Sequence, residues 1–92
     1  MKNNPGGWST YQSLTETDVR AFKLVTSTIG VGVTREPALV KRQVVAGVNY
    51  KFLTVAMVVH PEAKPYWERI TAFIAPDQSV EIKSIEKICC PN

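Results

Sequence analysis

Cysteine and histidine are scarce in this chain, and their scarcity disfavours several kinds of chemistry. Cys89 and Cys90 are adjacent and are the only cysteines among 92 residues, so they cannot provide the disulfide framework of small secreted domains. His60, the single histidine, is distant in sequence from both thiols, and this spacing predicts no catalytic pair. One histidine and two adjacent cysteines also cannot supply a closed four-ligand zinc site. We therefore expect a protein that is not an enzyme and that uses neither a metal nor a cofactor.

Long apolar runs and clusters of one charge are also missing. No segment approaches the ~20 apolar residues of a membrane span, and the first residues, MKNNP, lack the apolar core of a signal peptide. The net charge of +3 is small and the basic residues are scattered, which disfavours nucleic-acid binding. We expect no membrane or nucleic-acid partner. The expected location is cytoplasmic for the chain as written, or extracellular if it is a trimmed mature form.

The residues that are present are typical of one globular domain. Apolar residues make up 45% of the chain and charged residues 21%, with only five glycines, which argues against disorder. The length allows a single core, so we expect one domain over residues 1–92. Within it, residues 1–8 read as a flexible arm that ends at the bulky Trp8, and Gly6 and Gly7 allow its backbone to approach another surface closely.

One helix is predicted after the arm. The sequence from Thr15 to Asp18 offers a capped start with acidic residues in the first turn. Apolar residues then recur at steps of three and four, and Gly30 and Gly32 are expected to end the helix. The apolar stripe is predicted to lie in the core; its members are Val19, Phe22, Val25 and Ile29.

Four strands are predicted after the helix. Residues 34–37 read as a loop because Pro37 disfavours helical angles at Glu36, and strand-like sequence then continues to residue 43. Further strands are expected over 48–59, 66–75 and 79–88, with an irregularity at Ser84 and Ile85. A helix followed by strands joined as hairpins predicts an α+β fold, in which an antiparallel sheet of four to five strands wraps around the helix.

The connection between the first two strands has an unusual composition for a tight turn. It reads Gln43-Val44-Val45-Ala46-Gly47. Gly47 can adopt the positive φ that a turn requires, whereas valines are poor turn residues and would point outward at the tip. The alternative interpretation is a strand end whose valines fold back into the core.

This five-residue sequence resembles the first inhibitory loop of the cystatins, the protein inhibitors of papain-like cysteine proteases, whose motif is Gln-x-Val-x-Gly. Gly6 or Gly7 would correspond to the N-terminal glycine of that family. Pro76 would correspond to the proline of its second hairpin loop. The commonest form of that loop has tryptophan after the proline, and Asp77 stands there in this chain, although stefin-type members lack the tryptophan too.

The resemblance implies a wedge that fills a protease cleft. The tip at 43–47 precedes the strand at 48–59, and the tip at 76–78 follows the strand at 66–75. Because these two strands are expected to be antiparallel neighbours, both tips are expected at the same end of the sheet. In the family, the glycine arm occupies the non-primed side of the cleft and the two loops occupy the primed side. The expected protease-binding residues are therefore Gly6, Gly7, Gln43, Val44, Val45, Ala46, Gly47, Pro76 and Asp77.

Two functions remain open at this point. The resemblance implies a reversible, tight-binding, non-covalent and competitive inhibitor of papain-like, cathepsin-like cysteine proteases. The alternative is a non-inhibitory interaction module with a cystatin-like fold. The active form is expected to be a monomer, and straightening of the first tip would give a domain-swapped dimer.

Overall fold

A computed structural model describes residues 7–88, which contain one helix and one four-stranded antiparallel sheet. The helix α1 spans Glu16–Thr26, and the strands are β1, Val33–Val45; β2, Gly47–Val58; β3, Tyr66–Ile74; and β4, Val80–Ile88. The strands lie in chain order, and each pairs with the next as a hairpin. This confirms the α+β prediction, and the arrangement is consistent with a cystatin-like fold. No helix in the described part of the chain is long and apolar enough to cross a membrane.

The core lies between α1 and one face of the sheet. Alternate residues of β2 are buried there, as the period of two in a strand requires. The ring of Phe52 is fully buried, with its centroid 5.1 Å from Phe22 of the helix in an edge-on arrangement and 5.1 Å from Tyr50 in a stacked one. Burial of each large apolar side chain stabilises the fold by roughly 1.5–3 kcal/mol.

The buried face of α1 differs in part from the predicted stripe. Phe22 and Val25 are buried as expected, but Val19 is 36% exposed, so its assignment to the core is wrong. The face that meets the sheet passes instead through Asp18, Ala21, Phe22 and Val25. These positions follow the i, i+3, i+4, i+7 spacing, and Val19 lies about 100° around the helix from Asp18.

The helix also ends earlier than predicted. It ends at Thr26, before Gly30 and Gly32, and the backbone amides of Thr28 and Ile29 then donate to carbonyls three residues back. The hydroxyl groups of Thr26, Ser27 and Thr28 donate to helix carbonyls at 2.7–3.0 Å. Consecutive hydroxyl side chains thus satisfy the last carbonyls, and no glycine is needed for this purpose.

The predicted loop at residues 34–37 is wrong, because these residues belong to β1. Pro37 lies next to a register shift between β1 and β2, and the described residues place no strand on the other side of β1 there. Strand edges and bulges are where a sheet tolerates proline. The extra residue in the β3–β4 pairing is Lys83, one position before the predicted irregularity at Ser84 and Ile85.

Candidate functional site

The first hairpin tip is a one-residue connection. β1 ends at Val45 and β2 begins at Gly47, which leaves Ala46 between them. Below the tip, the side-chain amide of Asn49 donates to Oε1 of Gln43 at 2.8 Å and ties the two strands together. The side chains of Val44 and Val45 are 66% and 43% exposed, so the valines do not fold back into the core. An exposed apolar pair at a projecting tip is available for contact with another molecule.

Gly47 brings this tip into close contact with β3. Its φ is +113°, a conformation that residues with a side chain rarely adopt. A Cβ atom at this position would lie 2.6 Å from the carbonyl oxygen of Ile74 and 2.8 Å from the ring of Phe73. The sequence predicts the positive φ, but it does not reveal the contact with β3. The positive φ and the close approach to β3 both require glycine at position 47.

The second tip, between β3 and β4, is held by hydrogen bonds of its own. The amide of Ala75 donates to the carbonyl of Ser79 at 2.9 Å, and the amide of Gln78 donates to that of Ala75 at 2.8 Å. The carboxylate of Asp77 accepts from the hydroxyl of Ser79 at 2.7 Å and from its amide at 3.0 Å. The hydrogen bond from the Ser79 hydroxyl is the main reason that the pKa of Asp77 lies below its usual value, and the bond from the Ser79 amide acts in the same direction. Asp77 therefore shapes this turn while Pro76 stays exposed beside it.

The N-terminal segment lies along the free side of β1. Trp8 forms an antiparallel bridge with Gln43, and Gln12 forms one with Val40. The ammonium group of Lys51 lies 4.7 Å above the centre of the Trp8 ring, which helps to fix it. Gly7 is exposed and directly precedes this bridge, so it lies next to the first tip, whereas Gly6 lies outside the described residues.

These three elements form one edge of the molecule, which we call the tip edge: residues 7–8, 43–47 and 75–79. The two tips lie at the same end of the sheet because Val48 pairs with Ile74, which in turn pairs with Val80. The bridge from Trp8 to Gln43 places the described start of the chain at that end too. The structure thus brings together eight of the nine predicted site residues. The site role of those residues stays a prediction.

A buried ion pair behind the tip edge was missed in the sequence. The guanidinium of Arg42 donates to the carboxylate of Asp18 on α1 through two bonds of 2.7 Å, and Asp18 is only 1% exposed. Two hydrogen bonds from Arg42 are the main reason that the pKa of Asp18 lies below its usual value. Strand alternation could have indicated this pair, because Arg42 is two residues from the buried Val40 and both side chains therefore point inward. An inward arginine requires a partner.

The surface beside the tip edge contains a groove. A groove of about 340 Å³ lies between α1 and the second tip, lined in part by Ala21, Leu24, Ile74 and Pro76. Its described lining contains no histidine or carboxylate. His60 follows β2 at the opposite end of the sheet, where its Nδ1 accepts from the amide of Glu62 at 3.1 Å. Cys89 and Cys90 lie outside the described residues.

Comparison of the chain with protein-family profiles, curated proteins and solved structures finds no match. The function of the protein is therefore inferred from the residues and geometry of the tip edge.

Proposed function

We propose that this protein is a reversible, non-covalent, competitive inhibitor of papain-like cysteine proteases, and that it binds through the tip edge. The observation that carries the proposal is the exposed pair Val44 and Val45 on a one-residue hairpin tip, next to a second tip and to the described end of the arm, residues 7–8. Apolar side chains on a narrow projecting edge match an elongated apolar cleft.

The mechanism is occlusion of the protease cleft. Val44 and Val45 enter the cleft, the second tip contacts one side of them, and Gly7 lets the arm backbone lie close to the cleft wall on the other side. The tip edge offers no reactive group in its described residues, so the protease thiol forms no covalent bond. Each buried valine contributes roughly 1.5 kcal/mol or more to binding.

Titration of papain with the purified chain tests the proposal directly. We expect stoichiometric, reversible loss of activity, and we expect papain whose active-site cysteine carries a small blocking group to bind as well. The inhibitor should be recovered uncleaved. Binding that requires the free protease thiol would rule out the wedge mechanism.

Two alanine variants separate the tip edge from general surface effects. Val44 is 66% exposed and Val59, at the opposite end of the sheet, is 68% exposed. Val44→Ala should raise the Kd for papain about tenfold, since roughly 1.4 kcal/mol corresponds to a factor of ten. Val59→Ala should leave the Kd unchanged. Equal effects of the two substitutions would contradict the assignment of the tip edge.

A non-inhibitory interaction module is the second candidate, and one observation favours it. Asp77 stands where tryptophan is common in cystatins, and its carboxylate is engaged by Ser79. A charged residue at this tip contributes less to an apolar cleft than tryptophan would. Full papain activity at micromolar concentrations of the chain would favour this candidate.

A further inference from the structure

Arg42 and Asp18 join the first hairpin to the start of the helix. Nε and Nη2 of Arg42 donate to the two carboxylate oxygens of Asp18, each at 2.7 Å. Such a two-bond arrangement fixes both the distance and the plane of the two groups, which a single charge cannot do. The side chain of Asp18 is 1% exposed, so water does not compete for these bonds.

The same carboxylate also belongs to the cap of α1. Oδ2 of Asp18 accepts from the amide of Thr15 at 2.9 Å and from its hydroxyl at 3.0 Å. The Thr15 hydroxyl oxygen in turn accepts from the amide of Asp18 at 3.2 Å. This capping box holds Asp18 on the first turn of the helix. Arg42 is therefore bound to a group whose own position is already fixed.

The backbone of Arg42 holds Ser9, the residue that directly follows the arm. Its carbonyl accepts from the amide of Ser9 at 2.8 Å, and its amide donates to the hydroxyl of Ser9 at 2.9 Å. Farther from the tip, Gln12 and Val40 exchange two backbone hydrogen bonds at 3.0 and 2.9 Å. The bonds between Ser9 and Arg42 are thus the closest of these to Gly7. Arg42 also directly precedes Gln43, the first residue of the tip.

We infer that Arg42 is a positioning residue, which sets the arm and the first tip in their mutual register by anchoring β1 to the capped start of α1. We call the four residues Ser9, Thr15, Asp18 and Arg42 the Arg42–Asp18 clamp. Its consequence for inhibition rests on the proposed function. The register between the arm and the first tip does not depend on the proposed function, and it can be measured in the free protein.

The chain supplies a matched control for the clamp. Arg35 and Glu68 form a second buried pair between an arginine of β1 and a carboxylate, with Nε to Oε1 at 2.6 Å and side chains 10% and 5% exposed. This pair lies toward the start of β1, away from the tip edge. Replacing either arginine by lysine should lower global stability, because lysine keeps the charge but cannot form the two-bond arrangement with the carboxylate.

Arg42→Lys and Arg35→Lys are therefore compared in the full-length protein. Amide hydrogen exchange is followed at Ser9, which directly follows the arm, and at the buried Phe52, which reports global opening. We expect Arg42→Lys to speed exchange at Ser9 about tenfold, and Arg35→Lys to speed it less than about twofold. Both substitutions should speed exchange at Phe52. For papain, Arg42→Lys should raise the dissociation rate about tenfold and Arg35→Lys should leave it within about twofold.

A purely structural role for the clamp would give a different result. Unchanged exchange at Ser9 in Arg42→Lys, or equal acceleration in Arg35→Lys, would overturn the inference. If Arg42→Lys does not fold, Asp18→Asn removes the same two-bond pair and is read at the same amides. If Ser9 responds as expected while the wild-type chain leaves papain active, the positioning role holds and the proposed function fails.

Discussion

Gly47 is the residue that determines how closely the first tip approaches its neighbouring strand. A side chain there would meet the Ile74 carbonyl oxygen at 2.6 Å, and the φ of +113° disfavours any L side chain. We expect Gly47→Ala to lower the free energy of unfolding by about 2–4 kcal/mol and to weaken papain inhibition, because strained backbone and overpacking add. Urea unfolding and a papain assay measure the two effects.

Gly30 provides the control for this substitution. It has no heavy atom within 4 Å of an added Cβ, and its φ lies outside the positive range. Gly30→Ala should therefore change stability by less than about 0.5 kcal/mol. Equal stability of the two alanine variants would show that the first tip tolerates a side chain and can move away from β3.

Asp77 combines two effects that substitutions can separate. Its hydrogen bonds to Ser79 order the second tip, whereas its charge offers little to an apolar cleft. Asp77→Trp should bind papain more tightly than the wild type, because a large apolar ring outweighs two hydrogen bonds that are exposed to water. Asp77→Ala loses the bonds without this gain, so it should bind more weakly than the wild type. Identical dissociation constants for both variants would indicate that this tip does not reach the enzyme.

At the scale of elements, the contact between α1 and β1 includes a group that acid can neutralise. The pKa of Asp18 lies below its ordinary value of 3.8, chiefly because Arg42 donates hydrogen bonds to the carboxylate. A carboxyl with a lower pKa in the folded state contributes stability that is fully present above the unfolded pKa and is lost as the pH falls through the folded pKa. The contribution of Asp18 is therefore lost below about pH 4.

Asp18→Asn should thus destabilise the protein by about 3 kcal/mol at neutral pH, with a deficit that shrinks as the pH falls below about 4. Urea unfolding at several pH values measures this difference. Glu16→Gln is the control, because Glu16 is exposed and its oxygen lies 4.0 Å from Arg20. That substitution should change little at any pH. A constant deficit for Asp18→Asn down to pH 2 would mean that Asp18 stabilises the fold without its charge.

At the scale of the whole molecule, the one-residue first tip permits a second arrangement of the same strands. The positive φ lies at Gly47, whereas Val45 is extended and pairs with Gly47 within the hairpin. Val44 and Val45 are already extended in the hairpin, so straightening at Ala46 and Gly47 alone would join β1 and β2 into one long strand. The segment before the tip could then pack on a second molecule.

We therefore expect mild heating at high concentration to give a dimer that has lost the projecting tip and does not inhibit papain. Ala46→Asn should lower the yield of this dimer, because residue 46 is the connection in the hairpin but would be extended in the dimer, and asparagine favours turns over extended backbone. Size-exclusion chromatography measures the yield of the dimer, and a papain assay on each fraction measures its inhibitory activity. A dimer that inhibits as strongly as the monomer would contradict this model of the first tip.

Local patterns in the sequence determined most of the elements. Alternation in β2 and β3, the turn residues of the second tip and the capped start of α1 each depend on a few neighbouring residues, and each appears in the structure within a residue of its predicted place. The first tip is shorter than the predicted connection at 43–47, because β1 continues to Val45 and pairs with β2 up to Gly47. Hairpin connectivity then requires both tips to lie at one end. The resemblance of residues 43–47 to the cystatin loop also depends only on consecutive residues.

Tertiary contacts decided the rest, because they join residues that are far apart in the chain. Thr34–Pro37 became part of a strand through pairing with β2, against the local preference of Pro37. The burial of Asp18 depends on Arg42, 24 positions later. The need for glycine at position 47 comes in part from the carbonyl of Ile74. Spacing along the chain does not encode such contacts, because only the packing of α1 and the strands brings these atoms together.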